Sequence, residues 1–171
     1  MVLVDTTVWV DHLKNTATPE VAWLRAAISN RTAAIAVGDL VLCEVLQGLS
    51  TEREAALVEQ ALRRFDVLSL VSPDLAAQSA AHYRTLRRRG VTVRKTIDML
   101  IGTFCIAHGY ALLHADRDFD QLERHLGLRV VHPWRCAITR VATPPPGRSA
   151  PRASLDTPLP AATGLGPAPR P

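Results

Sequence analysis

The sequence predicts an α/β domain in which a parallel sheet of about five strands is covered by helices on both faces. Three observations carry this. Five short runs rich in aliphatic and β-branched residues alternate with stretches of helical periodicity, and such alternation builds parallel sheets. Glycine stands just past three helical stretches, at Gly90, Gly109 and Gly127, where a left-handed residue closes a helix. Hydrophobic residues make up 47% of the 171 positions and charged residues 21%, a globular balance in a chain long enough for one sizeable core.

Taken in order, residues 2–5 form the first strand. Residues 19–30 follow as a helix, with Val21, Leu24 and Ile28 at helical spacing and Thr18 as N-cap. The second strand is 34–37, followed by a helix over 39–49. A further helix over 52–65 carries Leu57, Ala61 and Leu62 on one stripe. The third strand is 67–71. Residues 73–89 place Leu75, Ser79, His82, Tyr83 and Leu86 on a helix, and 96–108 form another. The fourth strand is 111–114, the last helix 119–126 and the last strand 129–131. Trp9 and Trp23 fall in apolar helical patterns and are expected in the core or an interface.

Composition changes near Val141. Nine of the twelve prolines lie from Pro144 onward, among Gly, Ser, Ala and Thr. Such a segment buries too little apolar surface to offset its ordering entropy. The domain is therefore expected over 1–140 and a Pro-rich, disordered tail over 141–171, with a Pro-rich docking motif as the alternative. The net charge of +4 and pI of about 9.4 permit a nucleic-acid partner without demanding one. Cys43, Cys105 and Cys136 are widely spaced and odd in number, against a disulfide framework or a zinc site and in keeping with a reducing cytosol. No basic region precedes the first apolar run, so no signal peptide is expected. The nearly apolar stretch 99–113 falls short of the roughly 20 residues that span a bilayer.

Four acids stand out. Asp5 ends the apolar run Val2-Leu3-Val4, Glu44 lies within Leu40-Val41-Leu42-Cys43-Glu44-Val45-Leu46, Asp98 precedes Met99-Leu100-Ile101, and Asp116 follows Ala111-Leu112-Leu113. A carboxylate beside apolar segments must be solvated at an element end, hydrogen-bonded, paired or bound to a cation. Helix capping is the competing role for Asp5 and for Asp98, where Thr96 competes for the cap. Glu44 sits on or beside the apolar stripe of its helix unless Cys43, Leu46 and Leu49 face the core. Asp118 or Asp120 could cap the last helix, leaving Asp116 free. Ligands of parallel sheets bind at the carboxyl ends of strands where strand order reverses. If the first and fourth strands are neighbours, Asp5 and Asp116 open into one crevice.

Carboxylates without a His or Cys set select hard cations such as Mg²⁺ or Mn²⁺. A cation so held can activate water and steady the charge on a phosphate undergoing transfer, which suits phosphodiester hydrolysis. Arg84, Arg87, Arg88, Arg89, Arg94 and Lys95 fall within twelve residues without one acid and lead directly to Asp98. They are either a solvated helix end favoured by the macrodipole or contacts for a phosphate backbone, with Arg87, Arg88, Arg94 and Lys95 as the RNA-backbone candidates. Cys105 and His108 are expected as core and helix-end residues.

The opening Val-Leu-Val-Asp5-Thr-Thr-Val-Trp-Val, the central Cys43-Glu44-Val-Leu-Gln-Gly48, the stretch Thr96-Ile97-Asp98-Met99-Leu100-Ile101 and the run Leu113-His114-Ala115-Asp116-Arg117-Asp118-Phe119 together resemble PIN-domain proteins. More closely, they resemble VapC-type toxins of bacterial type II toxin–antitoxin systems. The resemblance covers about residues 1–134. It implies a three-layer α/β/α fold and a cytoplasmic, Mg²⁺-dependent endoribonuclease. It also implies that Asp5, Glu44, Asp98 and Asp116 form the catalytic quartet, with Asp5 and Asp98 as metal ligands and Asp118 as a less regular fifth acid. A homodimer, an RNA substrate and a small VapB-type antitoxin that covers the active site are implied in the same way, and the short apolar stretch leads us to expect no membrane partner. The tail after Val141 departs from the family pattern.

Three other readings compete. One is a PIN-like binding or scaffold module that kept the fold and lost the chemistry. A phosphotransferase of the haloacid-dehalogenase kind needs a second acid where Thr7 stands. A receiver-like phospho-acceptor needs a lysine in the Asp5 pocket from a late strand, a place that neither Lys14 nor Lys95 is expected to fill. If the four acids share a pocket, at least one should have a raised pKa without metal, because like charges oppose ionisation.

Overall fold

The computed structural model describes residues 1–133. Cys136, the boundary expected at 140 and the Pro-rich segment lie outside the described residues. Within them, twelve elements follow in the order β1 (Val2–Val4), α1 (Thr6–Leu13), α2 (Pro19–Asn30), β2 (Ile35–Gly38), α3 (Asp39–Gln47), α4 (Glu52–Leu62), β3 (Asp66–Leu68), α5 (Pro73–Arg88), α6 (Thr96–His108), β4 (Ala111–Leu113), α7 (Asp118–Leu126) and β5 (Arg129–Val130).

The strands are short, and the apolar β1 and β2 are buried along their whole length, as strands covered on both faces must be. Sheet order is β3-β2-β1-β4-β5, with every neighbouring pair parallel. The chain first moves from β1 outward to β3, then crosses back to β4 and β5. Strand order therefore reverses between β1 and β4, where Leu3 pairs with Leu112 and Val4 with Leu113. α1 packs on α2 and α3, and α3 on α4, whereas α5, α6 and α7 pack on one another. Right-handed crossovers in the two directions put these groups on opposite faces. The result is the three-layer arrangement expected. Leu3, Val4, Val37, Ile101, Leu112, Leu113 and Phe119 lie at its centre with essentially no exposure.

Several local expectations hold. Thr18 caps α2 by accepting the Val21 amide. Gly109 and Gly127 adopt positive φ as the C-caps of α6 and α7. Cys105 is buried and His108 ends α6. Trp9 is buried against Phe65, ring centroids 5.3 Å apart.

Others change. Leu57 is 46% exposed, and the inner stripe of α4 is Val58, Ala61 and Leu62. β3 is the sheet edge and ends at Leu68, so Val67 and Val71 remain exposed rather than central. Residues 6–13, not set out as a helix in the sequence reading, form α1. One close approach matters for the site. A Cβ on Gly102 of α6 would collide with the Leu122 side chain of α7, so the glycine lets Leu122 pack directly on the α6 backbone.

Candidate active site

All four acids line a single cavity of about 390 Å³, together with Thr6, Thr7, Val10, Gln47 and Lys95. It opens where β1 and β4 end, at the reversal of strand order. The Asp5 amide extends the β1–β4 pairing by donating to the Leu113 carbonyl at 2.9 Å. Asp5 also caps α1, as the capping role required. Its Oδ2 accepts the Thr7 amide at 3.0 Å and the Thr7 hydroxyl at 2.6 Å. Capping and pocket-lining are therefore the same placement. The Thr7 Oγ1 in turn accepts the Ala115 amide at 3.3 Å, which ties the turn after β1 to the loop after β4.

Glu44 is half-buried on α3, whose buried face is Val41, Leu42 and Val45. Cys43 is exposed, so the alternative core face through Cys43 does not form. The Thr6 hydroxyl donates to Glu44 Oε2 at 2.5 Å, drawing the carboxylate toward β1. Asp98 is buried in the first turn of α6 and caps nothing. The N-cap position belongs to Lys95, which makes no side-chain cap, and Thr96 makes none either. Asp116 is not free as expected: its Oδ1 accepts the Asp118 amide at 3.0 Å at the start of α7. Neither Asp118 nor Asp120 caps that helix.

Asp118 lies outside the pocket lining. Its Oδ2 accepts the Arg94 amide at 3.2 Å, so it holds the segment leading into α6.

The basic run is split. Arg89 donates to the His125 carbonyl at the C-terminal end of α7, whereas Arg94 meets Asp118 at its N-terminal end. His125 and Asp118, seven residues apart on α7, set these points roughly 10 Å apart. Arg87 and Arg88, adjoining Arg89, belong to the end remote from the acids, and Arg88 donates to Thr85 of its own helix. Lys95 lines the acidic pocket while its side chain stays 60% exposed. Its Nζ lies 3.6 Å from Asp116 Oδ2. As expected, no late strand supplies a lysine to the Asp5 pocket: Lys95 reaches it from the N-cap of α6.

The electrostatics follow from burial and crowding. Burial pushes the Asp5 carboxyl above the ordinary carboxylate value, and the Thr7 hydrogen bonds only oppose the rise. Asp98 is pushed up to about 7, first by burial; Lys95 pulls it down, and Asp5, Asp116 and Asp118 push it further up. The expectation of an acid raised by its like-charged neighbours holds for Asp98, where they act after burial, whereas Asp5 is raised by burial. Asp98 also draws the Lys95 ammonium above its usual value, ahead of the smaller pull of Asp116 and Asp5. His114, buried against Phe119 with ring centroids 5.0 Å apart, is held below the usual imidazole value by burial.

Asp98 Oδ2 is buried with no hydrogen-bond partner. An orphaned carboxylate oxygen facing other carboxylates is what a hard cation satisfies, and the donors are all oxygens. The residues thus fit a divalent cation in chemistry. Among the described residues no three Asp, Glu, His or Cys side chains stand close enough to form a complete metal cage, so Asp5 and Asp98 offer a partial, open set. Thr6 and Thr7 were not singled out from the sequence. The signal available was two hydroxyls directly after a strand-ending acid.

The PIN domain pattern matches residues 2–125. A VapC ribonuclease of Mycobacterium bovis and Ribonuclease VapC11 of Mycobacterium tuberculosis are each 30% identical over 129 residues, spanning 75% of this chain and 96% of the relative. Among solved structures the chain is similar to VapBC2 from Rickettsia felis bound to a promoter DNA fragment, with a TM-score of 0.60 and 18% identity over 77% of this chain and 98% of the other. It is also similar to DNA-bound VapBC from Salmonella typhimurium, with a TM-score of 0.57 and 23% identity over 76% and 96%. At such identities the structural likeness speaks for the fold.

Proposed function

The chain belongs to the PIN domain family and, within it, to the VapC ribonucleases; from that premise we propose that it is the toxic component of a type II toxin–antitoxin system, an endoribonuclease that hydrolyses RNA phosphodiester bonds with Mg²⁺ or Mn²⁺. The observation that carries the reading is the meeting of Asp5, Glu44, Asp98 and Asp116 in one pocket at the strand-order reversal. Asp5 and Asp98 would hold the cation, since both are buried and Asp98 Oδ2 lacks a partner. A hard divalent cation bound there supplies an activated water and neutralises charge building on the phosphate.

The other groups have parts that follow from their placement. Thr7 orients the Asp5 carboxylate and Thr6 that of Glu44. Glu44 and Asp116 line the same pocket and are the carboxylates placed to orient the attacking water or take its proton. Arg94, exposed beside the pocket, meets the RNA backbone there. Arg87 and Arg88, near the other end of α7, could meet only a more distant stretch of the strand.

A VapB-type antitoxin partner is supported by the similarity to VapBC assemblies. We also infer a homodimer, with the groove of about 420 Å³ between α5 and α6, lined by Val71, Tyr83, Met99 and Leu100 and also by Arg84, Arg94 and Lys95, as the candidate contact face, and sedimentation of the purified chain tests it. No described helix is long and apolar enough to cross a membrane, and we assign the protein to the cytoplasm. The scaffold alternative leaves unexplained why a binding module would keep a buried, partnerless Asp98 beside three other acids.

The test is RNA cleavage by the purified chain, free of antitoxin, with Mg²⁺, with EDTA, and as Asp5→Ala or Asp98→Ala. Cleavage should need the metal and both acids. Equal cleavage by the parent and both variants would overturn the reading.

A further inference from the structure

The acidic pocket already contains a cation, the Lys95 ammonium. Lys95 lines the cavity together with all four acids, and its Nζ is 3.6 Å from Asp116 Oδ2. Helix chemistry does not explain a lysine here. It occupies the N-cap of α6, where Ser, Thr, Asp or Asn would close the helix and where the positive end of the macrodipole disfavours a cation. Only two lysines occur in the chain, Lys14 and Lys95, and Lys95 is the one placed in the pocket. The acids offset the unfavourable position, since unlike charges at this range attract and excess like charge repels. Its side chain is 60% exposed, so the ammonium has an open route to solvent and can leave without opening the fold.

We propose that Lys95 is a resident counter-ion of the metal-free site, and that divalent metal enters by exchange for its ammonium. This rests on the reading of the pocket as a metal site. Lys95 stabilises the four acids before metal arrives and lowers the apparent affinity for metal, so that loading requires its displacement. Arg94, adjacent in sequence but outside this pocket's lining, has no such part.

The test uses the full chain with Lys95→Met, Lys95→Gln and Lys95→Arg, and Mn²⁺ alone as the probe. Mn²⁺ affinity is read by calorimetry and thermal stability is read in chelator and in Mn²⁺. The two neutral variants should bind Mn²⁺ about threefold to tenfold more tightly, the range expected for removing one partly solvated charge. They should melt lower than the parent in chelator and gain more from Mn²⁺. Lys95→Arg should stay near the parent. A neutral variant that folds only with Mn²⁺ would support the exchange, and one that folds with neither would count against it. Equal or weaker Mn²⁺ binding by the neutral variants overturns the exchange while leaving the metal site intact. No Mn²⁺ binding by parent or variants overturns the metal reading itself.

Discussion

Asp98, buried and with Oδ2 unpartnered, titrates at about 7 in the metal-free fold, against 3.8 for an unperturbed carboxyl. Between these values the folded chain keeps a proton that the unfolded chain has released. Stability from this group is therefore highest below about pH 4 and falls as pH rises through about 7. The loss is on the order of 4 kcal/mol at most, and Asp5, shifted in the same direction, adds to it. Asp98→Asn should stabilise the metal-free chain at pH 8 and much less at pH 4, as denaturant melts in chelator can show. A variant less stable than the parent at pH 8 would contradict the crowding of acids. Thr7→Val removes the hydroxyl that joins Asp5 to the Ala115 amide. It should cost about 1 kcal/mol of stability and lower RNA cleavage roughly tenfold or more, because a carboxylate displaced by a fraction of an ångström loses its alignment. The quartet was legible because each acid interrupts or borders an apolar run. Thr6 was not, because its partner Glu44 lies 38 residues away, and Thr7 binds Asp5 locally but ties it to Ala115, 108 residues on. Lys95 was read with the arginines before it, and only the tertiary fold turns its ammonium toward the acids.

The elements were largely legible because their punctuation is chemical: Thr18, Thr51 and Ser72 accept amides as N-caps, and Gly109 and Gly127 take positive φ. The exception that matters is α1. Its eight residues begin directly at Asp5, with no turn residue to separate strand from helix. The segment between α5 and α6 was also opaque, since nothing local says that it runs along α7 from His125 to Asp118. α6 carries Asp98 into the pocket only while it packs on α7 through Gly102. Gly102→Val inserts a branched side chain against the fully buried Leu122. It should destabilise by about 2 kcal/mol or more, and a thermal melt reads this directly. RNA cleavage by the surviving folded fraction should fall as well, because α6 must shift.

Over the whole molecule, the sheet order brings residues 5 and 116 together, while α3 and α6 add residues 44 and 98. The adjacency of β1 and β4 was conditional in the sequence, since alternation fixes a parallel sheet but not the neighbour of each strand. A divalent cation that binds only the folded chain must stabilise it as a whole. Mn²⁺ at about 100 times its dissociation constant should add about 2.7 kcal/mol, and this gain should vanish in Asp5→Ala. The most direct measurement of the shared acidic site is Mn²⁺ titration of the metal-free chain near pH 6.5 in two buffers of different ionisation enthalpy. Metal binding must expel the proton that Asp98 holds near neutrality. The heat should therefore saturate and depend on the buffer, with roughly half a proton or more released per site, and Asp98→Asn should reduce the release. A saturating heat that is the same in both buffers, or no saturable heat, would contradict a cation held by these crowded acids.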